Sequence, residues 1–202
     1  MTKLLLASNN SGKLIEIQAL LANLDLELVT PFKLGLTLDV EESGETYAEN
    51  AHLKALAFSQ ATKLLTMADD SGLEVEALDG APGLHSARYA PQPGANDADR
   101  RAYLLANLKG RRRPWLARFR CVICLVTLAG QAYYSEGICP GEIIPQERGQ
   151  NGFGYDPIFL IPELGRTMAE LDMERKNKLS HRALAVIAAR PTLLNLLRTG
   201  DS

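Results

Sequence analysis

Lys3-Leu4-Leu5-Leu6-Ala7-Ser8-Asn9-Asn10-Ser11-Gly12-Lys13 is an apolar run that stops at a turn of small polar residues. A short apolar run bounded by turn signals reads as a buried strand. Behind the turn, Leu14, Ile17, Leu21 and Leu24 recur at spacings of three, four and three, the stripe of an amphipathic helix. Leu26–Val29 then reads as a second strand. Strand, turn, helix and strand in that order open an α/β protein.

Further along, Thr46-x-x-Glu49 is a capping box, and Ala51, Ala55, Phe58, Thr62 and Leu65 extend a helical stripe behind it. Asp69-Asp70-Ser71-Gly72 is expected to close a short strand and turn into Leu73–Ala77, where apolar residues alternate. A helix is predicted over Asp97–Leu108, followed by the basic turn Arg111-Arg112-Arg113-Pro114. Two long strands, Leu116–Leu128 and Ala132–Ile144, flank a hairpin at Gly130. Ile158–Ile161 is a further strand. The last helix begins near Ser180, and Pro191 is expected to break it before it resumes through Leu193, Leu196 and Leu197. Without repeats or long linkers, the chain reads as a single domain over residues 1–202, a mixed sheet flanked by helices.

Composition excludes several classes. The 202 residues are 46% hydrophobic and 23% charged, which is globular rather than disordered or fibrous. Lys and Arg number 22 against 24 Asp and Glu, a net charge of −2, so the chain has no general attraction to nucleic acid or anionic membrane. No apolar stretch approaches the about 18 residues that span a bilayer. The run after Lys3 is too short for a secretory leader, so a reduced cytoplasmic protein is expected. Cys121-Val-Ile-Cys124 has redox or zinc spacing, but an odd offset in a strand sends the two thiols to opposite faces. With no second Cys pair or nearby His, these read as buried strand cysteines.

Four segments carry candidate chemistry. Ser8–Lys13 joins a strand to a helix, where backbone N–H groups and the helix dipole favour anions; a plain polar turn is the other reading. The loop lacks the glycine and hydroxyl positions of a Walker A motif. Asp69 and Asp70 offer oxygen ligands for Mg²⁺ or a base for water, one of them facing a site and the other making structural hydrogen bonds. Glu41-Glu42 adds acids. In Gly152-Phe153-Gly154-Tyr155-Asp156-Pro157 two glycines permit close backbone approach, and two aromatics offer stacking faces. His181 and Arg182 oppose the dipole of the helix they begin, a local conflict that hints at function.

Taken in order, these segments resemble the inosine triphosphate pyrophosphatase family. The matching motifs are Ser8-Asn-Asn-x-x-Lys13, Glu41-Glu42 with Thr46-x-x-Glu-Asn-Ala51 and Lys54, and Ala68-Asp-Asp-Ser-Gly-Leu73. They continue through Gly80-Ala-Pro-Gly83, Ser86-Ala-Arg-Tyr89, Gly152–Pro157, Lys176 and Ser180-His-Arg182. Pro91–Arg120 and the tail after Arg190 add nothing to the match. The resemblance implies Mg²⁺-dependent hydrolysis of ITP, dITP and XTP to monophosphate and pyrophosphate. It implies that Ser8, Asn9, Asn10, Ser11, Gly12 and Lys13 hold the triphosphate. Glu41 and Asp70 would bind Mg²⁺, with Asp70 also the general base and Ser71 touching substrate. Phe153, Gly154, Tyr155, Asp156, Lys176, His181 and Arg182 would line the nucleoside end. The implied architecture is an elongated mixed sheet with two lobes and a central cleft, as a homodimer with no nucleic-acid or membrane partner.

Deaminated purines carry an acceptor oxygen where adenine has an amino donor, and Arg182 can only donate, so it would favour them. Two alternatives stand beside this reading. One is a Maf-like pyrophosphatase of similar fold acting on modified pyrimidine triphosphates. The other is a single-strand nucleic-acid surface built on Arg111–Arg113, Arg118, Arg120 and Trp115.

Overall fold

The computed structural model describes residues 2–199. Its strands are β1 (Thr2–Leu6), β2 (Leu26–Val29), β3 (Leu65–Val75), β4 (Trp115–Val126), β5 (Ala132–Ile143), β6 (Phe159–Ile161) and β7 (Arg166–Thr167). Its helices are α1 (Ser11–Leu21), α2 (Tyr47–Thr62), α3 (Asp97–Leu108), α4 (Met173–Leu179) and α5 (His181–Thr199). The strands form one sheet in the order β2-β1-β3-β4-β5-β6-β7. β1 pairs parallel with β2 and β3, whereas β6 pairs antiparallel with β5 and β7. The mixed sheet expected from the sequence is present.

The chain divides into two compact units. The first comprises Met1–Asp70, Cys121–Gly137 and Arg182–Ser202. Here strand alternation sorts side chains onto two faces. Leu4, Leu6, Leu65, Met67, Cys121 and Ile123 pack with Ile17 and Leu21 of α1 and with Val186, Ala189 and Leu193 of α5. Leu5, Ala7, Ala68, Cys124 and Val126 pack instead with Ala51, Ala55 and Phe58 of α2. The two thiols of the Cys-x-x-Cys pair therefore lie in different core clusters, as the odd offset requires. All three cysteines are free and buried, and burial pushes the Cys124 and Cys139 thiols up to about 12.

The second unit comprises Ser71–Arg120 and Ile138–His181. Leu73 and Val75 of β3 pack there with Leu104 and Leu108 of α3, Phe119 of β4 and Ile143 of β5. Tyr155, Ile158 and Phe159 complete that core.

Three local expectations need correction. Asp69–Gly72 does not turn: it lies inside the uninterrupted 11-residue β3. Polar residues can stay mid-strand when their charges are matched there, and these are. Leu65 belongs to β3 and not to the α2 stripe, because Lys63 ends α2 in the left-handed conformation (φ 55°). Pro191 does not break α5, which is continuous through it. Proline has no N–H for the Ile187 carbonyl, yet Ile187 is 45% exposed while Val186, Ala189 and Leu193 anchor the opposite side.

Because proline costs about 3 kcal/mol relative to alanine inside a helix, Pro191→Ala is expected to stabilise the protein. Part of that cost is already relaxed, so a gain of about 1–2 kcal/mol in urea unfolding is expected. A lowered midpoint would show that the proline ring itself packs usefully.

Candidate active site

In the first unit, Asn10 caps α1 by accepting from the Lys13 amide N–H at 3.0 Å, and Ser8 Oγ accepts from the Asn10 amide N–H at 3.2 Å. Ser11, Gly12 and Lys13 are thus the first turn of α1, with its unpaired N–H groups near the exposed Asn9, Asn10 and Ser11. A helix start of this kind suits phosphate.

On β3, residues 65, 67 and 69 share the face covered by α1 and α5, and residues 68 and 70 share the face covered by α2. The two carboxylates consequently meet different partners. Asp69 Oδ2 lies 3.0 Å from Lys13 Nζ and accepts from Arg182 Nε at 3.3 Å. Arg182 Nη1 also donates to Glu16, which projects from α1. Asp70 Oδ2 accepts from Asn50 Nδ2 at 3.3 Å, and Asp70 Oδ1 lies 3.6 Å from Lys54 Nζ. Lys54 Nζ donates in turn to Glu42 at 2.7 Å.

These surroundings move the two acids in opposite directions. Burial alone would raise Asp69, but Lys13 and Arg182 outweigh it and hold the carboxyl well below the ordinary range. Burial raises Asp70 as well; Lys54 and Lys13 oppose it, Glu42 and Asp69 add to it, and the net direction is upward. Asp69 is therefore a fixed counter-ion, and Asp70 the more basic carboxylate.

The second unit holds the aromatic loop. Lys176 Nζ donates to Asp156 Oδ2 at 2.6 Å, and both side chains are buried. The same oxygen accepts from the Phe153 amide N–H at 3.0 Å. Lys176 Nζ sits 5.4 Å from the centroid of the half-buried Phe153 ring, within cation–π range. Gly152 has φ +77°, and a Cβ there would run into the Asp156 carboxylate and come within 2.8 Å of Lys176 Nζ. Tyr155 is buried and its hydroxyl donates to the Ser86 carbonyl at 2.9 Å, so of the two aromatics only Phe153 offers a face. His181 stacks on Phe119 with centroids 4.7 Å apart. Ser71 follows Asp70 on β3, half-buried.

The structure thus brings Lys13, Asp69, Asp70 and Arg182 into one network, and Phe153, Gly154, Asp156 and Lys176 into another. Arg182, expected to donate to a base oxygen, is 1% exposed and held by Glu16 and Asp69. Glu41 is exposed, while its neighbour Glu42 is the acid bound to Lys54. Glu16 was not legible as a site residue; its one signal is a charge beside Ile17 on the apolar stripe of α1. Asn50 and Lys54, four apart, share a face of α2 and so reach Asp70 together. The proposed nucleic-acid surface loses its stacking platform, because Trp115 is buried. Arg118 and Arg120 of that surface pair with Glu74, at 2.5 and 3.6 Å.

A divalent cation fits the carboxylate network. Among the described residues no three Asp, Glu, His or Cys side chains gather as a ready-made cage. Mg²⁺ does not need one: it takes one or two carboxylates and completes its shell with phosphate oxygens and water. Asp69 Oδ1, on the next residue of β3, is a buried oxygen without a hydrogen-bond partner. Oxygen donors of this hard type suit Mg²⁺ better than softer metals.

Removing Asp69 leaves Lys13 and Arg182 without their shared counter-ion. Asp69→Ala is expected to cost about 3–5 kcal/mol in urea unfolding, the range for breaking a buried pair. The pH dependence has a definite sign. A depressed folded pKa gives stability that is fully present above the unfolded value of about 3.9 and is lost as pH falls through the folded value. The gap between the unsubstituted protein and Asp69→Asn is thus expected to be constant near neutral pH and to shrink below about pH 4. A gap that widens on acidification contradicts the assigned role.

Comparison with known proteins gives the family. Residues 4–192 match the model of the Ham1 family. A dITP/XTP pyrophosphatase of Desulforamulus reducens is 46% identical over 195 residues, covering 96% of each chain. One from Xanthomonas oryzae is 49% identical over 191 residues, covering 92% of this chain and 94% of its own. The structure of a HAM1 protein from Coxiella burnetii superposes with a TM-score of 0.87 at 41% identity, covering 96% of this chain and all of its own. With its motifs in order, its carboxylate network in place and near-complete coverage by these relatives, the chain belongs to the Ham1 family.

Proposed function

We propose that the protein hydrolyses deaminated purine nucleoside triphosphates, ITP, dITP and XTP, to the monophosphate and pyrophosphate, clearing them from the nucleotide pool. The observation that carries this reading is the split between adjacent acids: Asp69 neutralised by Lys13 and Arg182, Asp70 on the other face of β3 beside Asn50 and Lys54 and raised by burial against the pull of Lys54. The named activity of the similar Desulforamulus and Xanthomonas proteins supports it.

In this mechanism the start of α1, from Ser8 to Lys13, binds the triphosphate through backbone N–H groups and the Lys13 ammonium. Asp70 takes a proton from water as the water oxygen bonds to the α-phosphorus. The bond from that phosphorus to the bridging oxygen breaks, and pyrophosphate leaves with the electron pair. Asp70 and the exposed Glu41 would hold Mg²⁺, which when bound supplies positive charge to the phosphate oxygens. Lys54 keeps Asp70 in place and Asn50 fixes its rotamer. Phe153 offers its face to the base. Lys176, which holds Asp156 beside Phe153, keeps the nucleoside role in this reading, whereas Arg182, committed to Glu16 and Asp69, serves the phosphate end through Asp69. A cytoplasmic homodimer belongs to the same reading. No helix among the described residues is long and apolar enough to cross a membrane.

With Mg²⁺, the purified protein is expected to release pyrophosphate faster from ITP, dITP and XTP than from dATP, dGTP or dTTP. Equal rates across that panel would defeat the specificity; with the panel extended to modified dTTP analogues, a preference for those would favour the Maf-like alternative. Asp70→Asn is expected to lower kcat by about 10²–10⁴-fold, the usual contribution of a positioned base. Near-normal turnover would transfer that role to another acid.

A further inference from the structure

α3 lies in the segment that carries no family motif, yet it supplies two side chains to the aromatic loop. Asn96 and Asp99 form a reciprocal capping box, which fixes the start of the helix. Asp97 and Arg101, four residues apart, project from the same face. Asp97 Oδ2 accepts from the Gly154 amide N–H at 2.8 Å, and Arg101 Nη1 donates to the Gly154 carbonyl at 2.9 Å. Both polar groups of one glycine are thus taken by one helix. The grip is itself braced. Arg101 forks onto Glu147, with Nε to Oε1 at 2.8 Å and Nη2 to Oε2 at 3.0 Å. Arg100 donates to the Ala95 carbonyl at 2.7 Å and to Asp97.

We propose that Asp97 and Arg101 are positioning residues that set the Phe153 ring for the nucleobase by holding the Gly154 peptide. This rests on the reading of the 152–156 loop as the nucleoside end. Phe153 lies between two restrained groups: its own N–H, given to Asp156, and the following peptide, held from α3. Gly154 has a left-handed φ of 62°, one of several conformations open to glycine, so the hydrogen bonds from α3 are what select it. Charge-assisted hydrogen bonds at both ends of the residue keep that path and with it the direction of the ring. Pre-setting a stacking face lowers the ordering cost of binding the base and leaves the chemistry at phosphorus untouched.

The test separates the two ends of the substrate. Steady-state kinetics with ITP are compared with competitive inhibition by inorganic tripolyphosphate, which has phosphates and no base. Asp97→Ala and Arg101→Ala are each expected to raise KM for ITP about five- to twentyfold, the scale of one lost charge-assisted hydrogen bond. Their kcat is expected to stay within about threefold and the tripolyphosphate inhibition constant within about twofold, since neither touches the phosphate end. Asp97→Asn keeps an oxygen that accepts from Gly154 and is expected to restore KM to within about threefold. Amide exchange at Gly154, followed by NMR, is expected to quicken at least about tenfold in Asp97→Ala, whatever substrate the enzyme turns over.

An unchanged KM and unchanged exchange in both alanine variants would overturn the proposal. So would parallel loss of ITP and tripolyphosphate affinity, which marks general destabilisation, or an asparagine variant as impaired as alanine. If the unsubstituted protein ignores deaminated purine triphosphates while Gly154 exchange still responds, the functional reading fails and the positioning of the loop stands.

Discussion

Asp69 and Asp70 are consecutive carboxylates on a strand that is covered on both faces, and each loses most of its hydration there. Taking a carboxylate out of water costs several kcal/mol unless the charge is paired and hydrogen-bonded. A strand carrying both would be untenable without matched cations. The first unit answers with the alternation of the strand itself: α1 and α5 deliver Lys13 and Arg182 to one side, α2 delivers Lys54 and Asn50 to the other. Glu16 then balances Arg182, and Glu42 balances Lys54. Placing these helices on their faces of the sheet is as much an electrostatic requirement as a hydrophobic one.

The same constraint explains why charged groups sit where the helix dipole disfavours them. Arg182 in the first turn of α5 opposes that dipole, a conflict worth about 0.3–1 kcal/mol. Two buried carboxylates facing one guanidinium outweigh it, and they raise the pKa of Arg182 further although burial acts in the opposite sense. A conflict visible in the sequence thus had a structural cause, in the partners that the fold brings to Arg182.

Much of the architecture was legible because its signals are local. The period of α1, the Thr46–Glu49 capping box and the turn at Gly130 depend on neighbours within a few residues, and each appears where the pattern put it, except that α1 ends at Leu21, before the Leu24 of its stripe. The misread segments depend on distant partners. Asp69–Gly72 looks like a turn because four small polar residues usually are one; only Lys13, Lys54 and Arg182, remote in sequence, let it remain a strand. Pro191 looks like a break because the sequence does not show that one side of α5 is wet. Asp97 and Arg101 gave no signal at all, since what they hold is a backbone peptide 57 and 53 residues away. Contacts to main-chain groups leave no complementary side chain to recognise.

Gly152 shows how such distant demands nonetheless reach the sequence. From the sequence it permits close backbone approach; in the structure it sits at φ +77°, and the atoms that exclude a Cβ are the Asp156 carboxylate and the Lys176 ammonium. The glycine is there to let a buried ion pair form against the backbone. That pair fixes Asp156 Oδ2, and the fixed oxygen takes the Phe153 N–H. A side chain at residue 152 would therefore act at Phe153 without touching it, by displacing the acid that restrains it. The loop keeps its aromatic ring in place through what surrounds it, so its shape depends on residues that need never meet a substrate.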